Sequence, residues 1–523
     1  MISGQVPDHP HGKHDKMNLF DYLTERTDPG KIALIEEGVT TTYGQLLRMA
    51  DEVALTLNSD GSAYRRTVGI LAENSAFWVA SYLGIIKAGA VAAPLPSRLT
   101  VNELENYISL IGFDTVCIDD RLKPRYARQI TGIRQILKSG IMSPTSQDGD
   151  ENDVPGAIRS EAVEPEIDLA SLMFTSGSTG SPNAVRVTHR NIMANTESIV
   201  SYLGLKDDDR MMAILPFHYC FGTSLLHTHL RAGASLVINN YFQYVEDVLN
   251  EMESLGCTGF AGVPSTYQTL LNNQSFRERS FTQLRHVQQA GGRLPDSSIT
   301  ELRKTLPPRV RIFIGYGQTE ATARLSCLPP DMLGQKTGSI GRGIPGVRLD
   351  VVDHEGNPLR QGEVGEIIAE GENVTCGYLI PDPVNNPYRD GKLFTGDLAY
   401  EDEDGYIFIV GRAKEFIKPS GFKVMTATIE LALLELPEIA EAAVTGEPHD
   451  QLGEAAVAWV VPKAGSELTA EGVIGHCRTK LPLYAVPCSV KFLDALPKNS
   501  SGKVMKRDLK TASRNLNPDR PNP

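Results

Sequence analysis

Short apolar runs alternate with stretches of helical spacing along the chain up to about residue 410. Val68–Leu71, Ala90–Ala93, Ser171–Phe174, Met211–Leu215, Ser235–Ile238 and Val310–Ile314 read as buried strands. Ala76–Lys87, Val245–Leu255 and Ser298–Thr305 read as helices. Strands covered on both faces are apolar throughout, so this alternation predicts an α/β fold with largely parallel sheets. Residues 339–410 change character. Gly and Pro punctuate alternating strands such as Val347–Val352 and Val364–Ala369, which predicts a small β-rich subdomain. Past Gly411-Arg412 come a helix at Thr428–Leu436, strands at Glu441–Val444 and Ala455–Val461, and a helix near Ala470–Lys480. That order predicts a small α+β domain. The expected division is a disordered tail over 1–16, an N-terminal domain over 17–411 and a C-terminal domain over 412–523. The Pro/Asn-rich stretch from Asn515 to Pro523 reads as disordered.

Composition narrows the class. With 523 residues, 41% hydrophobic and 22% charged, the chain is a folded soluble protein of two or three structural units. A formal charge of −13 without a long basic run argues against nucleic acid as the main partner, while leaving room for a local basic pocket. The cysteines are scattered with no C-x-x-C pair, which fits reduced thiols and a cytoplasmic setting. The polar first 16 residues have no signal-peptide core, and His9, His11 and His14 there read as part of the tail. Val79–Pro96, the most apolar stretch, is broken by Lys87. It reads as a buried helix and strand, and no integral membrane association is expected.

The chemistry begins at Thr175-Ser176-Gly177-Ser178-Thr179-Gly180, directly after the strand ending at Phe174. Glycines let backbone N–H groups approach an anion, and hydroxyls add donors. The spacing is not that of a Walker loop, and a run of this composition is also that of a flexible turn. Its companions decide the matter. Gly315-Tyr316-Gly317-Gln318-Thr319-Glu320 follows a strand; Thr395-Gly396-Asp397 and Gly411-Arg412-Ala413-Lys414 lie further on. Leu496-Pro497-Lys498-Asn499-Ser500-Ser501-Gly502-Lys503-Val504 stands near the C-terminus. Together with Thr42-Tyr43-Gly44-Gln45-Leu46, Gly365-Glu366, Gly377-Tyr378 and Gly453-Glu454, this order resembles the acyl-adenylate-forming superfamily. Its members include acyl- and aryl-CoA synthetases, peptide-synthetase adenylation domains and luciferases.

The resemblance implies an enzyme that joins a carboxylic acid to ATP as acyl-AMP, releasing pyrophosphate. A second step passes the acyl group to the thiol of CoA or of a carrier-protein phosphopantetheine. It assigns Thr175–Gly180 to the β- and γ-phosphates, Glu320 to Mg2+ and Thr319 to the α-phosphate. Tyr316 with Ala290-Gly291-Gly292 falls to adenine, and Asp397 with Arg412 to the ribose. Lys414 is the hinge of a mobile C-terminal domain, and Gly421-Phe422-Lys423 faces the thiol tunnel. Lys503 bridges the attacking carboxylate and the α-phosphate, where a compact ammonium stabilises the developing charge. Two departures stand out: Asn183-Ala184 where the family usually has Lys-Gly, and Met425-Thr426-Ala427 where Pro is common. The first leaves open a non-catalytic nucleotide-binding relative, against which Glu320, Asp397 and Lys503 speak.

Pro216–Gly222 matches one wall of the acid site, with His218 as a gating aromatic beside Tyr219 and Phe221. Other candidate lining positions are Phe260, Ala261, Gly262, Gln289, Ala290, Ile314, Gly315 and Ala321. No acidic residue occurs between Met211 and Tyr244. An unpaired substrate ammonium would be costly to bury there, so a fatty, alicyclic or aryl acid is expected in place of a free α-amino acid. His227-Thr228-His229 reads as packing and not as a metal pair. Any carrier protein is expected to act in trans, as for a stand-alone enzyme loading an unusual acid in natural-product biosynthesis.

Overall fold

The computed structural model describes residues 16–59, 61–142, 159–176, 182–382, 386–463, 465–498 and 504–509. The fold is mixed α/β, with large parallel sheets in the N-terminal part and a smaller C-terminal part. Contacts group the chain into two units. One comprises residues 1–240, 319–323 and 372–384; the other comprises 241–318, 324–371 and 385–523.

In the first unit a six-stranded sheet runs in the order Arg134–Leu137, Thr115–Ile118, Thr67–Leu71, Val91–Pro94, Leu169–Ser176, Pro182–Thr188. Every pairing is parallel except the last, an antiparallel hairpin. Arg210–Ala213, Ser235–Ile238 and Ile32–Glu36 form a second parallel set, edged by the antiparallel Val39–Thr42. The motif Thr42–Leu46 starts a helix. The Thr42 hydroxyl accepts from the Gln45 N–H, and the Gln45 side chain accepts from the Thr42 N–H, a reciprocal capping box that opens Tyr43–Asn58. Helix Ala76–Lys87 is buried over its whole length, as its continuous apolar sequence requires.

In the second unit Gly259–Gly262, His286–Gln289 and Arg311–Tyr316 are parallel, followed by the antiparallel Ser326–Leu328 and Arg342–Gly343. Val347–Val352, Gly365–Gly371, Lys392–Glu401, Tyr388–Arg389 and Ile407–Arg412 make the expected β-rich subdomain, all antiparallel. Toward the C-terminus, Ile439–His449, Gly453–Pro462 and Ser489–Phe492 form a three-stranded sheet. Its core gathers Ile429, Leu433, Val444, Ala458, Val460 and Val473.

The expected strands and helices are present with shifted ends. The strand expected over Met211–Leu215 runs Arg210–Ala213, because the Leu215 carbonyl accepts instead from the Asn74 side chain. The C-terminal helix starts at Thr426, two residues before the expected Thr428. The strand Pro182–Thr188 was not anticipated. The tails over 1–15 and 515–523 lie outside the described residues.

One glycine decides a helix crossing. A Cβ on Gly84 would stand 2.5 Å from the Ala50 carbonyl oxygen and 2.6 Å from the Val53 Cβ. Helices Tyr43–Asn58 and Ala76–Lys87 can therefore approach this closely only with glycine there. Gly84→Val should destabilise the protein by ~2–3 kcal/mol, the usual cost of overpacking a core. Urea denaturation measures it, and an unchanged midpoint would contradict the crossing as described.

Candidate active site

Thr175 and Ser176, the first two residues of the Thr/Ser/Gly run, end the strand Leu169–Ser176. Leu169–Ser176 returns through Pro182–Thr188, with Thr175 opposite Asn183 and Ser176 opposite Pro182. Gly177, Ser178, Thr179 and Gly180, expected to hold phosphate, fall outside the described residues, as does the side chain of Ser176. Asn183 is exposed on the returning strand. It puts a neutral amide across from Thr175 where a lysine would put a charge.

Glu320 lies in a single 3-10 turn, Thr319–Ala321, and is clipped from a distant loop. Its carboxylate accepts from the Tyr378 hydroxyl at 2.8 Å, and its carbonyl accepts from both the N–H and the hydroxyl of Thr375. Thr322, two residues on, is left-handed at φ 67°. That conformation is rare for a β-branched residue and costs about 1–3 kcal/mol. A hydrogen bond to the Asn373 carbonyl holds it. The Thr319 hydroxyl points to the Cys220 sulfur. Among the described residues no cluster of three or more His, Cys, Asp or Glu could hold a metal. A lone positioned carboxylate is the share of ligands that Mg2+ takes from a protein when water and substrate phosphate supply the rest, so Glu320 fits that ion.

The segment Pro216–Gly222, expected to line the acid site, is fixed by a residue the sequence did not reveal. Asn74 donates to the Leu215 carbonyl and accepts from the Phe217 N–H. Phe217 packs on Trp78, and Gly222 lets helix Cys220–Ala232 begin against the Pro216 carbonyl, which a Cβ would overlap. Tyr219 precedes that helix half-buried and Phe221 is buried in its first turn. Beside it lies a small cavity of about 20 Å3, lined among others by Tyr82, Ser171, Asn195, Cys220, Thr223 and His227. The His218 Nε2 is enclosed without a hydrogen-bond partner among the described residues, and burial lowers its pKa to about 4. His227 shares a hydrogen bond with the Tyr82 hydroxyl and is lowered to about 3 by burial. The His229 Nδ1 bonds the Leu225 carbonyl. The wall histidines are therefore neutral at physiological pH, and the two helix histidines are buried and hydrogen-bonded.

In the second unit a buried carboxylate is the centre. Asp397 and Arg412 are cross-strand partners, and the Arg412 Nε donates to Asp397 Oδ1 at 2.8 Å. The Tyr316 hydroxyl donates to Oδ2 at 2.6 Å. Asp397 keeps the Arg412 guanidinium above its ordinary pKa; burial, then Asp397, holds the Tyr316 hydroxyl well above its own. Each carboxylate oxygen still has a second lone pair to offer a ligand hydroxyl.

The adenine-side turn is braced by Gln289, whose amide donates to the Gly292 carbonyl while Gly291 is left-handed. Ala290 is buried, and Gly291 and Gly292 are exposed. A Cβ on Gly315 would come within 3.0 Å of the Arg324 Nε, and one on Gly262 would collide with Thr266. Phe260 packs edge-on to Tyr267, Ile314 is buried, and Ala261 lies in the same strand as Phe260. Lys414 is exposed just past the strand that ends at Arg412, and Gly421, Phe422 and Lys423 are exposed on a loop further on. Lys503 lies outside the described residues.

Residues 23–379 match the model of the AMP-binding enzyme family, and 428–503 match that of the AMP-binding enzyme C-terminal domain. The chain belongs to the AMP-binding enzymes. It is 30% identical to a feruloyl-CoA synthase of Amycolatopsis sp, covering 93% of this chain and 96% of that protein. It is 29% identical to a long-chain-fatty-acid–CoA ligase of Escherichia coli O157:H7, covering 92% of each. The solved structure of ATP-bound MatB from Rhodopseudomonas palustris superimposes with a TM-score of 0.85 at 28% identity, covering 95% of this chain and 99% of that one. This AMP-binding enzyme is an AMP-forming acid–thiol ligase of the acyl/aryl-CoA type. Ligases of this type use ATP, Mg2+ and CoA. Among the described residues, no helix is long and apolar enough to cross a membrane.

The buried histidines give the AMP-binding enzyme a pH signature. Burial lowers His189 to about 4, and its Nδ1 accepts from the Leu19 N–H, a bond that protonation would break. The unfolded chain binds these protons near pH 6.5 and the folded chain does not, so stability is lost as pH falls from about 6.5 to about 4. Urea midpoints at pH 7.5 and 5 should show the loss, and His189→Gln should reduce proton uptake on unfolding by about one. A pH-independent midpoint over that range would contradict the neutral assignment.

Proposed function

We propose that the chain activates a carboxylic acid with an uncharged body, fatty, alicyclic or aryl, and transfers it to a thiol. The observation that carries this reading is the neutral acid wall. No acidic side chain occurs from Met211 to Tyr244, and the wall histidines are held unprotonated by burial. A substrate ammonium would find no counter-charge there.

The residue roles follow from the chemistry each can perform. Thr175–Gly180 offers hydroxyls and N–H groups to the β- and γ-phosphates. Asp397 keeps a lone pair on each oxygen for the two ribose hydroxyls, steadied by Arg412 and Tyr316. Ala290-Gly291-Gly292, braced by Gln289, leaves a flat edge for the base. Thr319 donates to the α-phosphate. Glu320 would hold Mg2+, which when bound neutralises phosphate charge. Lys503 brings its ammonium between carboxylate and α-phosphate. One carboxylate oxygen then attacks phosphorus and pyrophosphate leaves. A thiolate next attacks the acyl carbon and AMP departs. A boundary near residue 412, with Lys414 as hinge, would let the C-terminal part change orientation between the steps.

Exchange of labelled pyrophosphate into ATP tests this reading. Fatty, alicyclic or aryl acids should support it and α-amino acids should not; the opposite pattern, or no exchange, would overturn the proposal. Lys503→Ala should cut exchange by about a hundredfold or more, the usual worth of an electrostatic transition-state group. It should still convert supplied acyl-adenylate to thioester, and equal loss of both steps would remove the role given to Lys503.

A further inference from the structure

The stretch Met425-Thr426-Ala427, which departs from the Pro common in the family, has a use in the fold. Thr426 opens the helix Thr426–Leu434, and its N–H donates to the Glu415 carbonyl at 3.3 Å. Its hydroxyl accepts from the Lys506 ammonium at 2.9 Å. A Pro at 426 could make neither bond. The same ammonium reaches Glu415 Oε2 at 3.0 Å and Glu430 Oε1 at 2.8 Å. A lysine ammonium has three N–H donors, and here each has an acceptor.

These groups come from separate parts of the chain. Glu415 stands one residue past the proposed hinge Lys414, and its N–H donates to the Arg412 carbonyl. Glu430 lies one turn into the helix, and its Oε1 also accepts from the Val444 N–H of the strand Ile439–His449. Lys506 lies three residues after Lys503. The residues on either side of 499–503 are fastened together. Lys498 bridges Val504, and the Met505 N–H donates to the Pro497 carbonyl. Lys498 is itself paired with Glu441 at 2.7 Å. Leu496 and Leu509 are buried in one cluster with Val457 and Trp459.

Lys506 is 28% exposed and Glu430 is 18% exposed. Burial pulls the Lys506 pKa down, but Glu430 and then Glu415 outweigh it and hold the pKa above the ordinary lysine value. Without this cation the two carboxylates would be left together, and like charges repel. One ammonium therefore fastens the C-terminal segment to the start of a helix and to the chain just past Lys414.

We propose that Lys506 is a positioning residue for adenylation, tying the segment that carries Lys503 to Glu415, Thr426 and Glu430. The inference rests on the role given to Lys503 above and deepens it. In the first step the Lys503 ammonium must reach one place between carboxylate and α-phosphate, and small misplacements of a reacting group are expensive in rate. Thioester formation does not use that ammonium, so it does not depend on the tether.

The test compares the two half-reactions of the full chain, using the acid that best supports exchange. Lys506→Met keeps most of the side chain's length and removes its charge. It should lower kcat for pyrophosphate exchange by about tenfold or more, with KM for ATP and acid within about twofold. Conversion of supplied acyl-adenylate to thioester should stay within about twofold, which also reports an intact fold. Lys506→Arg should bring exchange back to within about threefold of wild type. Thr426→Val, a milder change that removes one tether, should lower exchange about threefold. In a Lys503→Ala background, Lys506→Met should lower exchange no further, because residues that act as a unit are not additive. Unchanged exchange in Lys506→Met, equal loss of both half-reactions, or a loss undiminished in the Lys503→Ala background would overturn the proposal. Exchange that survives Lys503→Ala would instead remove the role given to Lys503, so the two failures are distinguishable.

Discussion

A carboxylate removed from water must be paired, and Asp397 organises its surroundings by that requirement. It is 4% exposed and sits where three strands can reach it. Arg412 comes from the neighbouring antiparallel strand and Tyr316 from the end of a parallel one. The carboxylate thereby ties the β-rich subdomain to the edge of the Gly315–Tyr316 segment, and the same two donors orient its remaining lone pairs. Removing either donor would leave a buried charge underpaired. The proposed ribose role of Asp397 therefore also needs Arg412 and Tyr316 in place.

The first unit solves a different electrostatic problem. The proposed chemistry involves anions, yet the sequence after the Thr/Ser/Gly run lacks the lysine that often accompanies such loops, and Asn183 stands in its place. The chain responds with fixed geometry in place of fixed charge. Tyr378 and Thr375 clip Glu320 at side chain and backbone, and Thr322 is held in a strained conformation beside it. Asn74 pins the acid wall through two backbone bonds. Burial keeps His218 and His227 uncharged.

Local patterns were legible in the sequence; long-range partnerships were not. The apolar run Val68–Leu71 and the helix Ala76–Lys87 announce themselves by composition and period, and both are present. The Pro182–Thr188 strand escaped because Pro182, Asn183 and Arg186 break an apolar run, and only pairing with Leu169–Ser176 defines it. Asp397, Arg412 and Tyr316 were named from motifs, but their mutual hydrogen bonds join positions 81 and 15 residues apart and carry no local signal. Asn74 and Tyr378 act 141 and 58 residues from their partners and belong to the same class. Gln289 read as a lining residue, whereas its amide is engaged by Gly292, a contact that depends on how the turn closes.

In the proposed first step the acid carboxylate itself becomes bonded to the α-phosphorus of ATP. The most direct measurement supplies an acid labelled with 18O in both carboxylate oxygens, together with ATP, Mg2+ and CoA, and weighs the products. Attack through acyl-AMP leaves one labelled oxygen in AMP and none in pyrophosphate. Label in an inorganic phosphate product, or AMP released without label while thioester forms, would contradict the account.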